Sequence, residues 1–220
     1  MADAAETRGT VYAMAEQAYD LRERKRTRTR LMIQGEALRL FAEKGYENTT
    51  VDEIAFAAAI SPRTFFRYFP TKEDVVIWDE YDPIAEDLVA ARPSDEAPAA
   101  TLRAIIREAL GGIYRRDPEQ LLVRARLLTS VPELRARMLD QQGTGGEMLA
   151  SLLAQTRGEQ ADEFRLRVLA SALGTAVTVA IDAWQKRDGK GDLLALVDHA
   201  IDSLAADMRE VGEQQAVGRH

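Results

Sequence analysis

The stretch Ala59-Ile-Ser-Pro-Arg-Thr-Phe-Phe-Arg-Tyr-Phe-Pro-Thr-Lys-Glu-Asp74 decides the fold of this 220-residue chain. Ser61 is a good N-cap, and Pro62 suits the first position of a helix, where a backbone N–H is not needed. Pro70 ends that helix, and Thr71 can cap another one. The stretch therefore predicts a short helix over 62–69, followed directly by a further helix.

Two helices are predicted before this stretch. Apolar residues recur at helical spacing from Leu31 and predict helix one over about 28–44, where Gly45 stops it. Thr50 and Glu53 have the spacing of a capping box, which predicts the start of helix two. A three-residue turn separates helix two from helix three. Two short helices joined by such a turn and braced by a longer helix form a helix-turn-helix.

The rest of the chain is also helical in pattern, and no segment alternates as a strand would. The predicted fold class is all-α, with an N-terminal three-helix helix-turn-helix domain followed by a helical bundle. We divide the chain into a flexible arm (1–20), the helix-turn-helix domain (21–72), the helical domain (73–212) and a flexible tail (213–220). The later helices are predicted at 72–81, 83–91, 99–115, 118–129, 132–142, 146–156, 160–187 and 192–210.

The charge of the chain is unevenly distributed. The net charge is −7, yet residues 21–72 hold eleven basic and six acidic side chains, which gives +5 there and −12 elsewhere. The basic run Arg22 to Arg30 is either the solvated start of a helix or a contact to DNA phosphates. Its place beside the helix-turn-helix favours DNA.

Helix three has an inward and an outward side. Phe65 and Phe69 stand four residues apart, which favours packing on helices one and two. Four aromatic side chains cannot all be buried by one short helix on a small domain. The outward side offers groups that fit guanine acceptors, thymine methyls and phosphates in a major groove. These side chains are Arg63, Thr64, Phe66, Arg67 and Tyr68.

The composition argues against other classes of protein. There is no cysteine, and the only histidines are His199 and His220, so disulfides, thiolate zinc sites and histidine dyads are excluded. No glycine-rich phosphate loop is present. Asp198, His199 and Asp202 share one helix, but an ordinary surface histidine is the simpler interpretation. We therefore predict no catalytic residue, no metal and no cofactor. If the chain were a purely protein-binding helical adaptor, the basic run Arg22 to Arg30 and the outward side of helix three would have no explanation.

The cellular location follows from what the sequence lacks. No signal peptide is recognised, and the best candidate for a membrane span, Val168 to Trp184, is interrupted by Asp182. We expect a cytoplasmic protein without a membrane partner.

Several spaced motifs resemble the TetR/AcrR family of regulators. They are Leu40-Phe-Ala-Glu-Lys-Gly-Tyr46, Thr49-Thr-Val-Asp-Glu-Ile-Ala55, Ile60-Ser61 and Thr64-Phe-Phe-Arg-Tyr-Phe-Pro-Thr-Lys-Glu73, and the match runs from about 26 to 75. The resemblance implies that the N-terminal domain binds a double-stranded operator and that the helical domain binds a small-molecule effector. It also implies a homodimer formed by the last two long helices, so that the operator is an inverted repeat.

Residue roles follow from the same resemblance. It implies base contacts by Pro62, Arg63, Thr64 and Phe66, and phosphate contacts by Thr50, Tyr68 and Lys72. Phe66 departs from the family, which usually has Tyr there, so a polar contact is lacking while a thymine-methyl contact remains open. As further phosphate contacts we predict the basic side chains Arg67, Arg28 and Arg30.

The helical domain offers candidates for an effector pocket and a dimer interface. Its apolar stripes fit a helix core, a pocket or an interface equally well. Segments 61–82 and 121–142 resemble the branch of the family that answers to fatty acyl-CoA or similar lipids. The arginines 124, 126, 135 and 137 fit an anionic ligand, although solvated surface is the simpler interpretation. The predicted pocket residues are Trp78, Tyr81, Ile105, Leu110, Ile113, Tyr114, Leu122, Leu127, Leu128, Met138 and Val177. The predicted interface residues are Leu169, Leu173, Val177, Trp184, Val197, Ile201 and Leu204.

Overall fold

The computed structural model describes the backbone of residues 2–79, 85–157 and 162–217, and the side chains of 21–79, 85–156 and 162–206. Every regular element in these ranges is an α-helix, which confirms the all-α prediction. The helices are α1 (Ala2–Lys44), α2 (Val51–Ala57), α3 (Pro62–Tyr68), α4 (Lys72–Ile77), α5 (Ala85–Ala90), α6 (Pro98–Arg116), α7 (Pro118–Ser130), α8 (Pro132–Arg157), α9 (Glu163–Gln185) and α10 (Leu193–Val217).

The chain divides into two compact units, Met1–Val75 and Val76–His220, and the division falls inside α4. The predicted boundary after residue 72 falls at the first residue of the same helix.

The core of the first unit consists of apolar side chains from α1, α2 and α3. Gly45 ends α1 with a φ of +84°, which glycine adopts without strain, and its N–H donates to the Phe41 carbonyl at 2.9 Å. The buried Gln34 donates from Nε2 to the Val75 carbonyl at 2.8 Å, so α4 is tied to α1. The buried residues include Ile33, Ala37, Leu38, Leu40, Phe41, Ile54, Ala55, Ala58, Phe65, Phe69 and Val75.

The turn between α2 and α3 contains one strained residue and is held by two backbone hydrogen bonds. Ala59 has a φ of +52°, which costs about 1–2 kcal/mol for a residue with a Cβ. The Ile60 N–H donates to the Ala55 carbonyl at 2.9 Å, and the Ala59 N–H donates to the Phe56 carbonyl at 3.1 Å. These bonds fix the direction in which α3 leaves the turn.

In the second unit, α9 runs through the core. Trp184, near the end of α9, is 1% exposed. At the surface of this unit, ion pairs join α6 to α10. Arg103 and Arg107 of α6 both pair with Asp198 of α10. The buried cluster comprises Val89, Leu102, Ile105, Leu110, Leu121, Ala150, Leu153, Leu166, Ala170, Leu173, Ala176, Ala180, Trp184, Leu193, Val197 and Ile201.

Four helices differ clearly from their predicted lengths. Helix α4 ends at Ile77 and not at residue 81, and α10 continues to Val217 and not to residue 210. Helix α1 begins at Ala2 and not near residue 28, so it includes most of the segment 1–20 that was predicted as a flexible arm. Helix α8 runs through Gly143 to Gly146, where two separate helices were predicted. Glycine costs a helix only about 1 kcal/mol relative to alanine. Gly146 is buried, and a Cβ there would lie 3.4 Å from Ser171 Oγ, so the small residue lets α8 lie close to α9.

Helix α9 is unusually apolar. By length and composition alone, Glu163–Gln185 could cross a membrane in spite of Asp182, a weak indication that core helices also give. Only 22% of the residues in its most apolar window are buried. Three large apolar side chains of this helix are exposed within the protomer, namely Phe164, Val168 and Val179.

Candidate nucleic-acid interface and effector cavity

The start of α2 is held by the predicted capping box, which the structure confirms. The Glu53 N–H donates to Thr50 Oγ1 at 3.2 Å, and the Thr50 N–H donates to Glu53 Oε2 at 2.9 Å. Lys44 Nζ donates to Glu53 Oε1 at 2.7 Å and, together with the Thr50 amide, lowers the pKa of Glu53 to about 2. The stabilisation from this carboxylate is present above about pH 4.5 and declines as the pH falls towards 2.

Helix α3 has the predicted inward side. Phe65 is 0% exposed and Phe69 is 1% exposed, so both pack in the core as expected. The Ser61 side chain accepts the Thr64 N–H at 3.1 Å, with Pro62 at the first helical position. The cap and the two buried rings together fix which residues of α3 face outward.

The outward side of α3 is polar and aromatic. Pro62, Arg63 and Arg67 are exposed, and Phe66 is 51% exposed. Thr64 and Tyr68 are half-buried. Thr64 Oγ1 lies 2.9 Å from Ser61 Oγ, and the Arg67 guanidinium lies 5.2 Å from the Tyr68 ring centroid. The contacts to DNA bases predicted for Pro62, Arg63, Thr64 and Phe66 stay predictions. The outward side of α3 on which these residues lie is accessible to DNA.

Among the predicted phosphate contacts, Thr50 is exposed, with its hydroxyl donating to Glu53 Oε2 at 3.1 Å. Arg28 is exposed on α1, whereas Arg30 is half-buried with its guanidinium 6.0 Å from the Phe69 ring centroid. Burial lowers the pKa of Arg30, and the nearby Arg26 adds to this effect. The basic run therefore lies along the helix that supports α3, and its contacts to DNA stay predictions.

Lys72 has a structural role that the sequence did not reveal. Its Nζ donates to the Tyr46 carbonyl at 2.9 Å and to the Thr49 carbonyl at 3.3 Å, and it lies 4.1 Å from the Tyr46 ring centroid. An ammonium has three donors, so these carbonyls leave one N–H that can point to a phosphate. Lys72 therefore fastens the start of α4 and can still serve as the predicted phosphate contact.

Replacing Lys72 with Ala should weaken binding to all DNA sequences alike. The slope of log affinity against log salt should become shallower by about one unit for each phosphate that the side chain neutralises. The measurement is binding to two unrelated duplexes over a series of salt concentrations, below the unfolding temperature of the variant. Lys190→Ala, which removes the same charge from the second unit, is the control. An unchanged slope in Lys72→Ala would remove Lys72 from the phosphate contacts.

An apolar cavity of about 300 Å³ lies in the second unit between α6, α7, α8 and α9. Three predicted pocket residues, Leu128, Met138 and Val177, line it. Its polar groups are few, and Gln142 donates to Thr178 at its wall. The remaining lining residues are Ile106, Ala125, Thr129, Gly174, Ile181, Asp182 and Gln185. The lining residues of α9 run from Gly174 to Gln185 at alternating spacings of three and one, so they lie on one face of the helix, and of these only Val177 was predicted.

A second cavity, of about 260 Å³, shares Leu128, Met138 and Gln142 with the first. Its other lining residues are Ile77, Asp79, Arg124 and Gln141. Arg124 is therefore the one arginine of the four considered that borders either cavity. Its neighbour Arg126 is exposed and pairs with Asp188 at 2.9 Å.

The other predicted pocket residues that the structure describes line neither cavity, and their role in an effector site stays a prediction. Ile105, Leu110 and Leu127 are buried, and Ile113, Tyr114 and Leu122 pack against the core. Tyr114 also donates to the Gly191 carbonyl at 3.3 Å and meets Trp184 edge to face. Trp78 is half-buried and lines neither cavity, and Tyr81 lies outside the described residues. A core stripe and a pocket stripe have the same spacing, so periodicity could not separate them.

The predicted dimer interface stays a prediction, and its residues differ in exposure within one protomer. Leu173, Trp184, Val197 and Ile201 are buried in the core of their own protomer. Val177 lines the apolar cavity, while Leu169 and Leu204 are partly buried against the core. The large apolar residues that α9 exposes are Phe164 (73%), Val168 (54%) and Val179 (59%). We call these three residues the α9 face.

The first unit has the features of one class of protein. A helix-turn-helix whose last helix exposes arginine and aromatic side chains beside a basic helix defines a DNA-binding transcription regulator. Residues 33–77 match the family described as bacterial regulatory proteins, tetR family, and residues 96–209 match the MftR C-terminal domain. The chain belongs to the TetR family of transcriptional regulators, as its motifs implied, and it is not an enzyme.

Several relatives are similar over most of the chain. It is 34% identical over 200 residues to the HTH-type transcriptional regulator TcmR of Streptomyces glaucescens, covering 86% of this chain and 88% of TcmR. It is 27% identical over 194 residues to MftR of Mycobacterium tuberculosis, covering 86% of this chain and 96% of MftR. The fold is similar to Thermus thermophilus FadR, a TetR-family transcriptional repressor solved in complex with lauroyl-CoA. That likeness has a TM-score of 0.52 and 26% identity over 80% of this chain and 93% of FadR.

Proposed function

We propose that this protein is a cytoplasmic, homodimeric repressor that leaves an inverted-repeat operator when a hydrophobic or acyl-CoA-like effector enters the cavities of the second unit. The observation that carries the proposal is the apolar cavity between α6, α7, α8 and α9. A folded core is normally close-packed, so an apolar space of this size calls for an occupant.

Three observations support this class of effector: the volume of the cavity, its apolar lining and the likeness of the fold to FadR. Small-molecule pockets span about 300–1,000 Å³ and are mostly apolar with a few polar groups, and the cavity lies at the lower end of this range. The Thermus thermophilus FadR structure holds lauroyl-CoA, which has a long apolar chain. The apolar part of an effector of that kind fits the walls formed by Leu128, Met138 and Val177.

Operator binding is assigned to α3. Arg63 is exposed at the start of this helix, where the residues of a recognition helix reach base edges. A guanidinium binds guanine O6 and N7 through two hydrogen bonds, whereas the exposed ring of Phe66 suits a thymine methyl. Two copies of α3 in a two-fold dimer would read two half-sites about 34 Å apart.

Replacing Arg63 with Ala should remove discrimination at one base pair of each half-site. Removing each base contact should cost about 1–3 kcal/mol, while the affinity for unrelated DNA stays nearly unchanged. The measurement is selection of binding sites from a random duplex library, with the wild type and Arg63→Ala in parallel. Arg187→Ala, at an exposed position of the second unit, is the control. An unchanged site profile for Arg63→Ala would exclude Arg63 from base reading.

A further inference from the structure

Arg124 connects the second cavity to the end of α4. Its Nε donates to the Val76 carbonyl at 2.7 Å, and its Nη2 donates to the Ile77 carbonyl at 2.8 Å. Its Nη1 lies 3.6 Å from Asp79 Oδ2, beyond hydrogen-bond distance. The side chain is only 14% exposed, so its charge is largely withdrawn from water.

The same guanidinium is part of a cavity wall. It borders the 260 Å³ cavity, which shares Leu128, Met138 and Gln142 with the 300 Å³ apolar cavity. Among the described residues that line the two cavities, Arg124 is the only cationic side chain. An apolar space therefore adjoins a partly desolvated positive charge.

We propose that Arg124 binds the anionic head of an amphiphilic effector whose apolar chain occupies the adjoining cavity, and that this contact loosens the hold of Arg124 on the end of α4. This inference rests on the proposed function, because it needs an effector in the cavity. The ligand chemistry it names is an apolar chain bearing a carboxylate or a phosphate.

Competition for the N–H groups of Arg124 links binding to release. A carboxylate or phosphate accepts two parallel hydrogen bonds from a guanidinium, and this paired geometry adds energy as well as specificity. An anion at the Nη1 edge displaces only Asp79, whereas an anion at the Nε–Nη2 edge takes the two N–H groups that now serve the carbonyls of α4. The carbonyls at a helix end then lose their partners, and the last turn of α4 becomes easier to move.

The consequence reaches the start of the same helix. Residue 72 begins α4, and its ammonium is held by the carbonyls of Tyr46 and Thr49. Helix α4 is therefore held at both ends. Lys72 fastens its first residue, and Arg124 binds its last two carbonyls. An effector that weakens the Arg124 contact loosens one end of α4, the helix in which the DNA-binding unit ends.

The test measures the binding of three probes to the full-length protein by calorimetry: dodecanoate, 1-dodecanol and lauroyl-CoA. Dodecanoate and 1-dodecanol have the same chain length and differ in charge. The wild type should prefer dodecanoate over 1-dodecanol by about tenfold or more. Arg124→Gln should abolish this preference, whereas Arg126→Gln, at an exposed position on the same helix, should retain it.

Two further variants keep the test decisive. Asp79→Asn leaves Arg124 in place and removes its competing carboxylate, so it should bind dodecanoate more tightly even if Arg124→Gln fails to fold. Val177→Trp should fill the apolar cavity and weaken all three probes. Release of a selected operator is measured with the same probes, and dodecanoate should release it where 1-dodecanol does not.

The outcomes separate this inference from the proposed function. Arg124-dependent binding of dodecanoate assigns the anion to a carboxylate, and Arg124-dependent binding of lauroyl-CoA alone assigns it to a phosphate; both support the inference. Equal binding of dodecanoate and 1-dodecanol, blocked by Val177→Trp and unaffected by Arg124→Gln, overturns it while the effector cavity stands. No binding of any probe, or binding that ignores Val177→Trp, overturns both.

Discussion

We propose that the α9 face is where two protomers meet, so placing a carboxylate on it should reduce operator affinity by about 10²- to 10⁴-fold, because two linked half-site contacts become one. Val168→Asp and Val179→Asp introduce the charge at positions that are 54% and 59% exposed, so each protomer should stay folded. A buried carboxylate without a partner is strongly unfavourable, and a dimer interface would bury it twice.

The oligomeric state and the affinity are measured together by sedimentation and by titration of the operator. Leu139→Asp is the matched control, since this leucine is 55% exposed on α8 and carries an equally accessible apolar side chain. The variants of the α9 face should be monomeric and the control dimeric. A dimer that persists in both Val168→Asp and Val179→Asp would contradict the assignment of this face.

Two neighbouring aromatic residues on α3 should respond to truncation in opposite ways. Phe65→Ala should cost about 3–5 kcal/mol of stability, because Phe65 is 0% exposed and packs within 6.0 Å of the Phe69 ring. That is a large part of the roughly 5–15 kcal/mol that holds a typical domain folded. Phe66→Ala should leave stability nearly unchanged and weaken specific DNA binding.

Hydrogen exchange of the α2 and α3 amides measures the first effect, and operator binding measures the second. Exchange reports directly on the first unit, whereas both tryptophans lie in the second unit and would follow that unit instead. An equal decrease of protection in Phe65→Ala and Phe66→Ala would show that the outward ring is also part of the core.

The helix-turn-helix could be predicted because short-range chemistry determines it. Thr50 with Glu53, and Ser61 with Pro62, fix where two helices begin, and the structure has the corresponding hydrogen bonds. The four-residue spacing of Phe65 and Phe69 was enough to predict their burial. Such signals lie within one turn of a helix, so a single sequence displays them.

The second unit could be predicted only in outline. Helical periodicity identified α9 and α10, but it does not state whether an apolar stripe faces a core, a cavity or a second protomer. Leu173, Val177 and Val179 lie on one helix, and the structure assigns them to the core, the cavity wall and the surface respectively. These assignments depend on which helices pack on each side, and that packing is not local.

Contacts between residues far apart in sequence were also missed. The hydrogen bonds of Arg124 to Val76 and Ile77, and of Lys72 to Tyr46 and Thr49, join residues that no local pattern links. The continuous α8 was missed for a related reason. Its glycines suggest a break, but each costs a helix only about 1 kcal/mol, and at Gly146 a Cβ would lie 3.4 Å from Ser171 Oγ on the neighbouring helix.

Symmetric operator binding is tested most directly by selecting duplex DNA from a random library with the purified wild-type protein at moderate salt. We expect an inverted repeat whose half-sites are centred about one helical turn apart, or a multiple of it, with binding that weakens steeply as salt is raised. Enrichment of no sequence, or of a single half-site without symmetry, would contradict a dimeric regulator that reads DNA with two copies of α3.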